Sequence, residues 1–215
     1  MKVLLVGLAD SIFFEHFTKT IKKIRKDISF DVYSIYEICG NYDLSACDNV
    51  FENKWAGSKI TKTKGIGALI FPFLTWMTLS AFLKRQKKYD IVHFKWLVPA
   101  VVLLNLRKIL NQQIVIATFW GREYNRQKLL YSNRCFRFFL KKFLRNVDWI
   151  VNNEASLQEL NNSLNTNYTN VQYAHYGSSI YKEIKELIKN ESKQVSKKNL
   201  NINSEQITVS IGYSG

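Results

Sequence analysis

Short apolar runs alternate along the chain with longer stretches whose apolar residues recur at helical spacing. The runs are rich in Val, Ile, Leu and Phe, which is typical of strands covered on both faces. The predicted strands occupy residues 2–7, 30–36, 48–52, 90–94, 114–118, 149–152 and 171–174. Such an alternation predicts βαβ units, and hence an α/β fold with a Rossmann-like parallel sheet and helices on both faces.

Helices are predicted in the gaps between these strands. The first runs from Ser11, a residue suited to capping, to about residue 26, and the second covers residues 66–88. A third begins at Pro99, a fourth ends at about residue 144, and a fifth runs from residue 178 to about 190. Residues 191–206 are polar and predict a linker, after which 207–215 begin a new apolar strand. That strand has nothing after it to pair with. The alternative is that it closes the first sheet.

Composition excludes some classes of protein and leaves others open. Of 215 residues, 47% are hydrophobic, which supports a core and excludes global disorder. The formal net charge is +14, from 31 Lys+Arg against 17 Asp+Glu. This charge favours anionic partners, such as nucleic acid, anionic lipid or phosphorylated substrates, without choosing among them. Three scattered cysteines suit reduced thiols in a cytoplasmic protein, and the first apolar stretch is too short for a signal peptide.

Two predicted strands end in polar and aromatic residues of the kind that bind ligands. In parallel α/β sheets, ligands bind outside the carboxyl ends of the strands. A glycine there lets the backbone approach a ligand closely, and Arg and Glu bind polar groups. The residues concerned are His93, Lys95, Trp96, Trp120, Gly121, Arg122 and Glu123. The alternative for the second group is a glycine-containing turn with a half-buried Trp.

Several other chemistries lack their sequence signatures. The loop after the first strand, which begins at Gly7, has no dinucleotide-binding fingerprint, and no phosphate-binding P-loop occurs. No helix-turn-helix, zinc-finger or RNA-recognition signature is present, which disfavours nucleic acid as the partner. His16, His93 and His175 are isolated, so metal binding is poorly supported.

Residues 66–83 contain no charge and are flanked by lysines and an arginine. Three interpretations compete for this segment. A transmembrane helix meets the lower length limit but would split the βαβ succession across a bilayer. A helix that covers the sheet is the second, and a covering helix that also dips into a membrane interface is the third. Pro72 is expected to kink or restart the helix.

The helix that ends near residue 144 interleaves cations with aromatic residues. An aromatic face with a basic rim is typical of a helix that lies on anionic lipid. The alternative is an amphipathic helix that faces the core and leaves its Lys and Arg in water. The predicted membrane-facing residues are Arg134, Arg137, Phe139, Lys141, Lys142, Phe143 and Arg145.

The segments "YDIVHFKWLVP" and "TFWGRE" together resemble the N-terminal domain of GT-B glycosyltransferases, particularly the family 4-like enzymes that build bacterial polysaccharides. His93 and Trp96 match the first motif of that family, whereas Lys95 stands where a second His is common. The later segments "NVDWIVNNEASLQEL" and "VQYAHYGSS" resemble further steps of the same domain, with His175 where Pro is frequent. The resemblance follows chain order along almost the whole sequence.

The second motif matches only in part. Trp120 and Gly121 agree with the family, but Arg122 replaces a small residue and Glu123 replaces the usual Asp. The resemblance implies an acceptor-side domain at residues 1–190, a linker at 191–206, and at 207–215 the first strand of a donor-binding domain that is incomplete in this chain. His93 would orient or deprotonate the acceptor hydroxyl, because imidazole titrates near neutral pH; the alternative is a histidine buried at a strand end.

The resemblance implies transfer of a sugar from a nucleotide-sugar donor to a glycan or lipid-linked acceptor in surface polysaccharide synthesis. No metal or other cofactor is expected, since cationic side chains and a helix N-terminus of the second domain would neutralise the leaving diphosphate. The expected location is cytoplasmic, on the inner face of the cell membrane. The implied cleft residues are Asp10, Lys95, Trp96, Trp120, Gly121, Arg122, Glu123, Asn153, Glu154, Tyr176 and Gly177. There are two alternatives to the glycosyltransferase function: a non-catalytic membrane- or partner-binding module, and a basic nucleic-acid binder.

Overall fold

A computed structural model describes residues 1–58, 66–86, 88–110, 112–118 and 134–173, all within the compact unit Met1–His175. Seven parallel strands form one sheet in the order β3-β2-β1-β4-β5-β6-β7. The strands are β1 (Lys2–Gly7), β2 (Ser29–Ser34), β3 (Asn49–Glu52), β4 (Ile91–Phe94), β5 (Ile114–Thr118), β6 (Trp149–Asn152) and β7 (Val171–Tyr173). The predicted Rossmann-like α/β fold is confirmed.

The strand order reverses between β1 and β4, which are neighbours in the sheet but not in the chain. From β1 the chain moves outward through β2 to β3, and then crosses back to place β4 on the other side of β1. Val3 pairs with Ile91 and Val6 with Phe94 in this central register. A crevice outside the carboxyl ends of the strands is expected at this reversal.

Six helices connect the described strands. They are α1 (Ile12–Ile24), α2 (Ile66–Arg85), α3 (Pro99–Val102), α4 (Leu106–Ile109), α5 (Arg134–Leu144) and α6 (Glu154–Leu164). The single helix predicted from Pro99 is therefore two short helices. Pro72 lies inside α2 without ending it, so the predicted restart is wrong. The predicted domain boundary at 190, the linker and the strand at 207–215 lie outside the described residues.

Alternate residues of the strands point to two separate cores. Val3 and Leu5 of β1 face α1 and pack with the buried Phe14. Leu4 and Val6 face the opposite side, where α2, α3, α5 and α6 cover the sheet with a larger core. The two-residue period of the strands thus decides which core each side chain joins. His93 and Lys95 share the parity of Ile91 and therefore belong to the α1 side.

Helix α2 covers the sheet, as the second and third interpretations of this segment both predicted. Thr75, Leu79 and Leu83 are fully buried along one side of the helix. Asn53, at the end of β3, donates from Nδ2 to Thr75 Oγ1 at 2.8 Å and accepts from Thr78 Oγ1 at 3.1 Å. Among the residues that the structure describes, no helix has the length and apolar character needed to cross a bilayer.

Helix α5 turns one of its predicted membrane-facing residues into the core. Leu140, Phe143 and Leu144 are buried, and the Phe143 ring lies edge-on to Phe94 of β4 with 5.5 Å between ring centroids. The prediction for Phe143 is therefore wrong, because this ring fills the space over the sheet. Phe139 is half-buried and packs against the same core.

Candidate functional site

Gly7 and Trp96 lie where the carboxyl ends of β1 and β4 meet, the place where a doubly wound sheet is expected to have its crevice. A Cβ atom added at Gly7 would lie 3.1 Å from the Phe14 ring and 3.4 Å from the Trp96 Cβ. Contacts this short are tighter than ordinary van der Waals contacts, so glycine lets α1 and the loop after β4 approach each other closely.

Lys95 follows β4 directly, and its amine is buried against α1. Its backbone N–H donates to the Val6 carbonyl at 2.8 Å, which fixes the loop to β1. The side chain is only 2% exposed, and Nζ lies 3.5 Å from the Phe17 ring centroid and 5.3 Å from that of Phe14. Burial lowers the pKa of Lys95 to about 7. The amine therefore exchanges between its charged and neutral forms near neutral pH.

His93 is buried one residue before the end of β4. Its Nε2 lies 2.7 Å from Thr118 Oγ1, at the end of the neighbouring strand β5. Burial, and to a smaller extent the charge of Lys95, lowers the pKa of His93 to about 3. The imidazole is thus neutral at pH 7. Its hydrogen bond to Thr118 also joins two adjacent strand ends.

Asp10 lies in the loop after β1, but its carboxylate is occupied by another loop. It accepts from the backbone N–H of Cys39 at 3.1 Å, from that of Asn41 at 3.0 Å and from Asn41 Nδ2 at 2.9 Å. Asp10 therefore shapes the segment that follows β2. Ser11 stands at the N-cap position of α1, yet its hydroxyl donates to the Leu8 carbonyl at 2.9 Å and does not cap the helix.

Asn153 and Glu154 lie at the carboxyl end of β6, further along the same edge of the sheet. Asn153 Oδ1 accepts from the Ser156 backbone N–H at 2.9 Å, so Asn153 is the N-cap of α6. Glu154 is exposed in the first turn, where it accepts from Gln158 Nε2 at 3.3 Å. A local helix-starting role accounts for Asn153 without any ligand.

A cavity of about 270 Å³ opens at the next strand end, after β2. Tyr36, Glu37, Ala56, Gly57 and Phe71 line it. The rings of Tyr36 and Phe71 have their centroids 5.5 Å apart. Gly57 has φ +70°, a backbone conformation that favours glycine, and a Cβ there would lie 2.6 Å from the Glu37 carboxyl carbon, which would have to move aside. Aromatic faces beside a carboxylate can hold a sugar, whose CH groups stack and whose hydroxyls donate.

Among the predicted site residues that the structure describes, His93, Lys95 and Trp96 lie together with Gly7 at the ends of β1 and β4. Asp10 holds the loop after β2, and Asn153 and Glu154 make hydrogen bonds within α6. Trp120, Gly121, Arg122, Glu123, Tyr176 and Gly177 lie outside the described residues. The sequence analysis missed Phe14 and Phe17, which cover Lys95, although their helical spacing on α1 could have indicated an inward aromatic pair.

In the described ranges, no group of three or more His, Cys, Asp or Glu side chains is placed to hold a metal ion. The three cysteines, all of them described, form no disulfide. A scan of the sequence against protein-family models gave no match, and a search of curated proteins gave none either.

Proposed function

We propose that this chain is the acceptor-side domain of a glycosyltransferase. The enzyme would transfer a sugar from a nucleotide-sugar donor to a glycan or lipid-linked acceptor in surface polysaccharide synthesis. A donor-binding domain would supply the groups that neutralise the leaving diphosphate, with no metal. The reaction would take place on the cytoplasmic face of the cell membrane.

The observation that carries this proposal is the junction of β4 and β5. One segment that resembles a glycosyltransferase motif contains β4, the other begins at the last residue of β5, and His93 and Thr118 join them through a 2.7 Å hydrogen bond. Motifs that are separate in the sequence therefore meet at adjacent strand ends, at the edge where a doubly wound sheet binds ligands.

The described side chains can bind an acceptor sugar at two neighbouring places. Trp96 is half-buried at the end of β4, and the exposed part of its indole would stack on a sugar ring. The cavity after β2 adds Tyr36, Phe71 and the Glu37 carboxylate, which would accept hydrogen bonds from sugar hydroxyls.

Glycan binding by the intact chain tests this proposal. Saturation-transfer NMR with a panel of oligosaccharides and lipid-linked sugars is expected to detect binding, which Trp96→Ala and Tyr36→Ala each weaken about fivefold, since an aromatic contact contributes roughly 1 kcal/mol. Trp149→Ala is the matched control, because Trp149 is exposed at the amino end of β6, away from the crevice. Circular dichroism confirms that each variant folds.

A chain that binds no glycan, or variants that bind as well as the parent, would overturn the proposal. An assay of nucleotide-sugar turnover distinguishes the enzyme from the alternative, a non-catalytic membrane- or partner-binding module. Release of nucleoside diphosphate from a nucleotide sugar, dependent on acceptor, belongs to the enzyme and not to such a module.

A further inference from the structure

We propose that the outer surface of α2, α3, α4 and α5 is a docking face for an anionic lipid bilayer. We call these four helices the acid-free layer. They cover one side of the sheet, where α2 packs against α3 and α3 packs against α5. This proposal does not depend on sugar transfer, because it rests on the surface of the layer and not on the crevice.

The acid-free layer is named for its composition. No Asp or Glu occurs in residues 53–89, 91–122 or 124–147, which contain all four helices. Around α1, on the other side of the sheet, cations are paired with acids: Lys19–Glu15, Lys19–Asp43, Lys22–Asp48 and Arg25–Asp27. Negative charge borders the layer at Glu37 and Glu52 beside α2, at Asp90, at Asp148 and in α6. Within the part of the chain that the structure describes, the excess of positive charge is therefore concentrated on the helices of this layer.

The outer stripe of α5 combines cations with an exposed aromatic ring. Arg134, Phe138, Lys142 and Arg145 follow one another at spacings that place them on one side of a helix, and all four are exposed. Phe138 is 63% exposed and lies edge-on to the half-buried Phe139. The stripe faces away from the buried residues of the same helix, so the core does not account for Phe138.

Further apolar side chains reach the surface elsewhere in the layer. Phe73 and Met77 lie one turn apart on α2 and are 53% and 50% exposed. Leu103, in the turn between α3 and α4, is also exposed, and the exposed Lys84 and Arg85 end α2. Apolar side chains that stand among cations match the boundary between lipid headgroups and acyl chains, where the cations contact phosphate.

Lipid fits this surface better than nucleic acid does. Phosphates of either partner would pair with the arginines and lysines. Phe73, Met77, Leu103 and Phe138, however, have no hydrogen-bonding groups for base edges, and a nucleic-acid backbone would leave most of them in water. A bilayer takes up both kinds of side chain at once.

Co-sedimentation of the full chain with vesicles tests the proposal. We expect binding to phosphatidylcholine vesicles that contain phosphatidylglycerol, and much weaker binding to pure phosphatidylcholine. The double variant Lys142→Gln/Arg145→Gln should bind roughly 25-fold more weakly, since each cation near an anionic membrane contributes about fivefold. Lys23→Gln/Lys26→Gln, which removes two exposed cations from the α1 side, should change binding less than about twofold.

A second pair of variants tests the apolar part of the surface. Phe138→Ser should lose the binding that remains at high salt, whereas Ile24→Ser, at a 72% exposed position of α1, should not. Equal binding to both vesicle types, or equal losses in the test and control variants, would overturn the proposal. A chain that binds no vesicles, but is retained on single-stranded DNA unless Lys142 and Arg145 are replaced, would also overturn the proposal. That result would assign the surface to nucleic acid.

Discussion

Lys95 places an amine against the rings of Phe14 and Phe17, with almost no exposure to water. The charged form of such a group loses its hydration, and the faces of two phenylalanines replace only part of it. A buried cation therefore costs stability at this position. Groups retained at such a cost are concentrated at functional sites, which favours a role for Lys95 in the crevice.

Replacing this cation with an apolar side chain of similar length should remove its titration. We expect the free energy of unfolding of Lys95→Met, relative to that of the parent, to be higher at pH 6 than at pH 10, since burial disfavours the charged amine in the folded chain. Urea unfolding measures the difference, and Lys23→Met, at an exposed position, is the control. A difference that does not change with pH would show that the buried amine does not titrate in this range.

The same measurement repeated across pH gives the sign of the effect. The folded pKa of Lys95 lies near 7, below the unfolded value of about 10.5. The unfolded chain therefore binds more protons between these values, so parent stability rises as pH increases from 7 towards 10, and the advantage of Lys95→Met shrinks. The lowered pKa of His93 causes a second loss of stability as pH falls below about 6.5. The imidazole of the unfolded chain then takes up a proton, whereas the buried imidazole of the folded chain stays neutral.

At the level of elements, α6 shows how a predicted cleft residue can have a local task. Asn153 caps the helix through Ser156, so Asn153→Ala should lower the free energy of unfolding by about 1 kcal/mol, while Asn153→Ser should retain most of it. Asn162→Ala, at an exposed position inside α6, should be neutral or slightly stabilising. Thermal unfolding measures all three. If Asn153→Ala kept the stability of the parent but lost glycan binding, Asn153 would act in ligand binding and not as a helix cap.

Most of the strands could be predicted because they are short apolar runs, a signal that needs no knowledge of the neighbouring elements; β3, with only two apolar residues, gave the weakest signal. Helix α5 could not be oriented in the same way. Its phenylalanines, at 136, 138, 139 and 143, are spread around the helix, so the spacing alone does not show which of them meet the core. Only the position of Phe94 on β4 decides that Phe143 points inward and Phe138 outward. The sequence likewise predicted one longer helix from Pro99, whereas α3 ends at Val102. Its residues Ala100, Val101 and Val102 are all buried in the core.

The candidate site shows the same limit. The sequence placed His93, Lys95 and Trp96 at a strand end, where the structure has them. It did not show that Phe17 covers the Lys95 amine or that His93 bonds to Thr118, since both contacts join elements that are distant in the chain. The partners of Asp10 were hidden for the same reason, because the loop that it holds follows a different strand.

Over the whole molecule, the uneven charge should make stability depend on salt. Cations of the acid-free layer repel one another, and this repulsion is strongest at low ionic strength. Lys142→Gln/Arg145→Gln should therefore raise the melting temperature by about 1 to 2 °C at low salt, a shift that corresponds to roughly 0.5 kcal/mol for a chain of this size.

The shift should vanish near 1 M salt, where the Debye length falls to about 3 Å. Lys23→Gln/Lys26→Gln, on a side where acids pair with the cations, should give a smaller gain or a loss at low salt. A larger gain from this second pair, measured by calorimetry on the full chain, would show that positive charge is not concentrated on the acid-free layer. The expected order would mean that this layer carries a stability cost in solution, which an anionic bilayer would relieve by neutralising the same residues.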